Sequence, residues 1–125
     1  MAIAGLHPIL YVPDQYAERD FYLRFGFETV YEGPEFPGFL AVGTGSVIIG
    51  LSSRPEAHVG GLDNIRWQFV VDDVDEIVSA CEAAGIPYEI EVETGGDTHR
   101  TRIVKVRSPG GVLVWFEGPN ELAGA

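Results

Sequence analysis

The sequence predicts an α+β fold in which two tandem βαβββ units form a cupped, mostly antiparallel sheet. Two observations carry this. The chain repeats itself: shifting its first half by 59 positions lays Leu10 on Phe69, Asp14 on Asp73 and Gly26 on Gly85. In each half a short strand-like run precedes a helical pattern, and three further strand-like runs follow it.

Leu6 to Val12 (LHPILYV) and Ile65 to Val71 (IRWQFVV) are rich in the β-branched and aromatic residues that strands favour. Aspartate follows each, Asp14 in the first copy and Asp72 and Asp73 in the second, where a carboxylate can cap a helix by accepting a backbone N–H. Ala17, Phe21, Tyr22 and Phe25 give the first helix its apolar face, and Gly26 ends it. Val74, Ile77, Val78 and Cys81 give the second helix a regular i, i+3, i+4, i+7 face, with Gly85 at its stop. Strands are expected at 28–32, 39–44 and 47–52, then at 88–93, 100–107 and 112–117. Gly43-Thr44-Gly45 and Ser108-Pro109-Gly110-Gly111 are turn signals before the last strand of each copy. The last strands match as well, GSVIIGL at 45–51 against GGVLVWF at 110–116. Gly33 to Gly38 reads as a surface turn whose Phe36 is expected to act as a lid over a cleft mouth. The expected organisation is one domain, with unit 1 at about 5–54, a linker at 55–63 containing Gly60-Gly61, and unit 2 at about 64–118.

Eight Lys and Arg against 19 Asp and Glu leave a net charge of −11, which opposes any partner presenting a phosphate backbone. Such a charge suits a cationic small molecule or a basic partner; an acidic surface kept for solubility is the alternative reading. No apolar run is long enough to cross a bilayer, and Met1 to Leu6 does not resemble a signal peptide. The single cysteine, Cys81, has no partner for an internal disulfide, which suits the cytoplasm. It falls on the buried face of a helix, as an inert core residue does. The run Glu93-Thr94-Gly95-Gly96-Asp97 lacks the lysine and the following helix of a phosphate loop.

The order of elements, the HxxLxVxD start at His7, FYLRFGF at 21–27, FVVDDVD at 69–75 and the SPGGVLVWFE ending resemble the vicinal oxygen chelate superfamily. That superfamily includes glyoxalase I, extradiol dioxygenases and the fosfomycin- and bleomycin-resistance proteins. The resemblance covers about residues 6–117. It implies that each unit curls into half a cup, with metal ligands on the first and last strands of each unit. Those positions fall on His7, Gly50, Arg66 and Trp115. A catalytic divalent ion normally needs three protein ligands, and a guanidinium is a donor that repels it. The expected cofactor is therefore none; a divalent metal enters only if this placement is wrong. His58 and His99 fall in the linker and in a strand-connecting loop.

Strand alternation places His7, Ile9 and Tyr11 toward the cup and Leu10 and Val12 toward the helix. Arg66, Gln68 and Val70 face the cup in unit 2, with Trp67 and Phe69 beneath the helix. Ile48, Gly50, Leu113 and Trp115 complete the inner face. The candidate ligand-binding residues are His7, Tyr11, Phe39, Ile48, Gly50, Arg66, Gln68, Leu113 and Trp115; no catalytic residue is assigned. Trp115 offers a stacking surface for a flat ring or a cation, and Gly50 leaves room above it. Trp115 as a core space-filler, Arg66 as half of a structural ion pair, and His7 as a polar strand start are the competing readings.

The chain most resembles the bleomycin-resistance type. The resemblance implies a metal-free homodimer binding a flat, cationic, antibiotic-like molecule, with a role in antibiotic resistance. The charge and the short apolar runs add that no nucleic-acid or membrane partner is expected. Arg66 departs from the pattern for a cationic ligand. A lyase, isomerase or dioxygenase of the same fold, metal-dependent or using His7 as acid or base, is the alternative.

Overall fold

The computed structural model describes residues 2–53, 62–95 and 99–119. It divides into two compact units, Met1–Gly61 and Leu62–Ala125. Each unit holds one helix and one four-stranded sheet. Most of the expected linker, including His58 and Gly60-Gly61, lies outside the described residues, as do Gly96 and Asp97. Leu62–Asn64, at the linker's end, forms a 3-10 turn.

In unit 1 the elements are β1 (Ile9–Tyr11), α1 (Gln15–Leu23), β2 (Glu28–Glu32), β3 (Phe39–Thr44) and β4 (Val47–Ser52). The sheet order is β1-β4-β3-β2, with β1 parallel to β4 and the other pairs antiparallel. The Asp14 carboxylate accepts from the backbone N–H of Tyr16 and of Ala17, at 3.1 and 3.0 Å, so α1 starts where the sequence predicts. Its buried face differs from expectation: Gln15, Glu18, Phe21 and Tyr22 go inward, while Phe25 lies past the helix end and meets Phe21 edge-on at 5.2 Å. Gln15 is buried because its side chain has backbone work to do. Its amide donates to the carbonyls of Gly38 and Leu51, and Ser53 donates to its oxygen, which ties α1 to both strands at the open end of the β3–β4 hairpin. The core of the unit is Leu10, Val12, Leu40, Val42, Ile49 and Leu51 beneath α1.

Unit 2 repeats this with β5 (Arg66–Val70), α2 (Val74–Ala84), β6 (Glu89–Gly95), β7 (His99–Arg107) and β8 (Leu113–Pro119) in the order β5-β8-β7-β6. His99 thus opens β7 and does not sit in a loop. Asp73 caps α2, and Gly85, at φ +68°, closes it in a left-handed conformation that a side chain would strain. Val74, Ile77 and Cys81 pack toward Val104, Val106, Val114 and Phe116 on β7 and β8. Burial, with a smaller effect of the Glu82 charge, raises the Cys81 thiol above its ordinary pKa. Cys81 is therefore expected to resist an aromatic disulfide reagent in native protein and to react only at the rate of global unfolding. Fast labelling without denaturant would contradict its placement in the core.

The two units share one register. Ile9 pairs Gly50, which pairs Ala41, which pairs Tyr31; in unit 2 Gln68 pairs Trp115, which pairs Lys105, which pairs Glu89. The same four-strand row therefore runs across both sheets, with different chemistry in each.

Candidate ligand-binding face

Directly paired residues on neighbouring strands lie on one face of a sheet, so the rows define what each unit presents opposite its helix. Tyr11, Phe39, Ile48 and Gly50 share that face in unit 1, and Arg66, Gln68, Leu113 and Trp115 share it in unit 2. His7 lies two residues ahead of β1 and is exposed.

The unit 1 face is apolar. Ile9 and Tyr11 are 46% and 38% exposed, and Phe39 belongs to an aromatic chain in which Tyr31 lies 5.8 Å from Phe36 and 5.9 Å from Phe39. Phe36 thus stacks beside Tyr31, and the Tyr31 hydroxyl donates to Glu35 at 2.9 Å. The space above Gly50 is not open: an added Cβ would stand 2.8 and 2.9 Å from the Phe39 ring and 3.1 Å from Ile9. Glycine at 50 lets the Phe39 ring lie flat on its own sheet, so the room expected there for a ligand is already filled.

The unit 2 face is polar and carries cations. One row reads Arg66, Leu113, Arg107 and the next reads Gln68, Trp115, Lys105, Glu89. The half-buried Trp115 indole meets two charges, with the Arg66 guanidinium carbon 4.1 Å and the Lys105 ammonium 4.2 Å from its ring centroid. Each such contact is worth about 0.5–1 kcal/mol when exposed and more when desolvated. Lys105 also pairs with Glu91 at 2.5 Å. Arg107 donates to the Gly111 carbonyl at 2.9 Å, and among the described residues neither it nor Arg66 is paired with a carboxylate. Tyr88, Lys105, Arg107, Leu113 and Trp115 line a cavity of about 500 Å³. The Tyr88 hydroxyl donates to Glu82 at 2.6 Å, and this bond, with partial burial and the carboxylate charge, raises its pKa and keeps it protonated.

Lys105, Arg107 and Tyr88 were not among the residues singled out from sequence. The signal was present: counting outward from the Ser108–Gly111 turn puts Arg107 opposite Leu113 and Lys105 opposite Trp115. The ligand positions that the resemblance implies lie on the first and last strands of each unit, and Lys105 and Arg107 belong to the third.

As for a metal, the four positions expected from the resemblance to carry ligands, His7, Gly50, Arg66 and Trp115, offer one imidazole, a glycine, a guanidinium and an indole, and the last two are in contact with each other. Among the described residues no group of three or more His, Cys, Asp or Glu side chains is placed to hold an ion.

This architecture belongs to a known class. The chain is a member of the Glyoxalase/Bleomycin resistance protein/Dioxygenase superfamily, whose family model matches residues 5–116. Among solved structures it is similar to a lactoylglutathione lyase from Agrobacterium tumefaciens, at 25% identity and a TM-score of 0.68 over 99% of this chain and 98% of that one. TnmS3, an antibiotic binding protein from Streptomyces sp. CB03234, is similar at 24% identity and a TM-score of 0.68, over 96% of this chain and 99% of that one. A bleomycin resistance determinant encoded on the transposon Tn5 matches at 18% identity and a TM-score of 0.61, over 94% of this chain and 99% of that one. No curated protein matches the chain in sequence.

Proposed function

We propose that this protein binds and sequesters a flat, aromatic, antibiotic-like small molecule without a metal, using the open face of the unit 2 sheet. The observation that carries the reading is Trp115. The superfamily usually places a carboxylate ligand at this position, and here an indole stands half-exposed between strands that supply Arg66 and Lys105, beside a cavity of a size suited to a small ligand. One structural neighbour is an antibiotic binding protein and another a bleomycin resistance determinant, which supports sequestration. The remaining candidate residues, Tyr11, Phe39, Ile48 and Gly50 with His7 nearby, are proposed as ligand contacts on the apolar face of unit 1.

The net charge of −11 supports the absence of a nucleic-acid partner, and no helix among the described residues is long and apolar enough to cross a membrane. A cytoplasmic location is proposed from the lone buried cysteine. A homodimer is proposed as well. The seven-residue edge strand β6, with Ile90 and Val92 about half exposed, is the kind of edge that proteins cover. Sedimentation equilibrium giving a monomer at micromolar concentration would remove that part of the proposal.

Trp67→Phe leaves Trp115 as the sole tryptophan and reads the site directly. Titrating this variant with a panel of planar aromatic antibiotics is expected to give saturable fluorescence changes for at least one compound. Emission unchanged across the whole panel would count against binding at Trp115.

A further inference from the structure

We propose that the ligand held on the unit 2 face is an aromatic carboxylate, its ring against Trp115 and Leu113 and its carboxylate among Lys105, Arg107 and Arg66. The inference rests on reading this face as the binding site and adds the charge class of what binds there.

The two rows carry it. Arg66 and Arg107 bracket Leu113 on its two sides, and Lys105 lies opposite Trp115, so three cations frame two apolar side chains on three adjacent strands. The chain has only eight cationic side chains against 19 acidic ones, yet two guanidiniums stand here with no carboxylate partner among the described residues. A guanidinium offers a planar fork of donors that matches a carboxylate, and both forks have donors to spare. The acids on the same face are Glu89, opposite Lys105, and Glu91, Glu93 and Glu117 in the rows beyond. The face is thus positive at the Arg66–Arg107 row and negative at the other end, which orients an anion toward the arginines. Two nearby carboxylates, Glu89 and the Lys105-bound Glu91, disfavour a ligand of higher negative charge. The net charge of the chain is largely screened beyond roughly 8–10 Å at physiological salt, so the local trio governs affinity. A cationic ring, which the acidic composition alone favours, would have to lie against Trp115 with both neighbouring cations already within about 4 Å of its ring centroid.

Three isosteric probes test this on the full-length protein: 2-naphthoate, neutral 2-naphthamide and 2-naphthylmethylammonium. The readout is the indole N–H resonance of Trp115, assigned with Trp115→Phe. The naphthoate is expected to shift that resonance and to bind at least about tenfold more tightly than either analogue, with affinity falling as salt rises. Lys105→Gln, Arg107→Gln and Arg66→Gln should each weaken naphthoate about three- to tenfold and leave the amide unchanged. Glu91→Gln should tighten naphthoate by releasing Lys105. Amide or ammonium binding at Trp115 as tight as naphthoate would overturn the carboxylate assignment and leave the binding face standing. If no probe moves the Trp115 resonance, both the assignment and the face fall together.

Discussion

Trp115→Ala is expected to weaken 2-naphthoate binding by about thirtyfold or more, the loss typical of truncating a central aromatic anchor. The indole stands on the face away from α2, flanked across the sheet by Gln68 and Lys105, and is only half-buried. Its removal takes away the ring surface and also the contact that holds Arg66 and Lys105 each about 4 Å from its centroid. The helix side of the same strand, Val114 and Phe116, is untouched, so the melting temperature should fall far less than in a core truncation. Calorimetric titration with a thermal melt of the same sample separates the two effects. Unchanged affinity in a folded Trp115→Ala protein would move the site elsewhere.

Gly50→Val is expected to destabilise the protein by about 1–3 kcal/mol, the range for overpacking a filled site. The new Cβ would sit 2.8 Å from the Phe39 ring and 3.1 Å from Ile9, and β4 is an interior strand that pairs on both sides. The ring can escape only by giving up its place beside Tyr31. In a Phe39→Ala background the clash with the ring is gone and only the 3.1 Å approach to Ile9 remains. Valine also suits a strand, so much of the cost should vanish, a coupling of about 1 kcal/mol or more. Urea denaturation of the four proteins in the cycle measures it. Additive costs would show that Phe39 does not occupy the space above Gly50.

Much of the fold could be read from the residues. The Asp14 and Asp73 caps, the Gly85 stop, and the alternation that turns Leu10 and Val12 inward and Arg66 and Gln68 outward are local chemistry, and local chemistry is written in sequence. The α1 face was harder. Gln15 and Glu18 are polar, and Gln15 is buried because distant carbonyls at Gly38 and Leu51 come to meet it. That is tertiary information. At the site, the faces of Tyr11, Ile48, Gly50, Arg66, Gln68, Leu113 and Trp115 followed from parity, but their environments did not. That Gly50 accommodates Phe39, two strand positions away across the β3–β4 pair, depends on which way one ring turns. The cations beside Trp115 depend on pairing between strands, which the alternation within any one strand does not give.

The most direct test of metal-free binding is elemental analysis of untagged protein purified without chelator and offered Zn, Mn, Fe, Ni and Co, paired with 2-naphthoate titrations before and after chelation. Far less than one ion per chain is expected for all five metals, with an unchanged naphthoate affinity after chelator treatment. About one ion per chain, with binding lost on chelation and restored by the metal, would contradict it and place the protein among the metal-dependent enzymes of the superfamily.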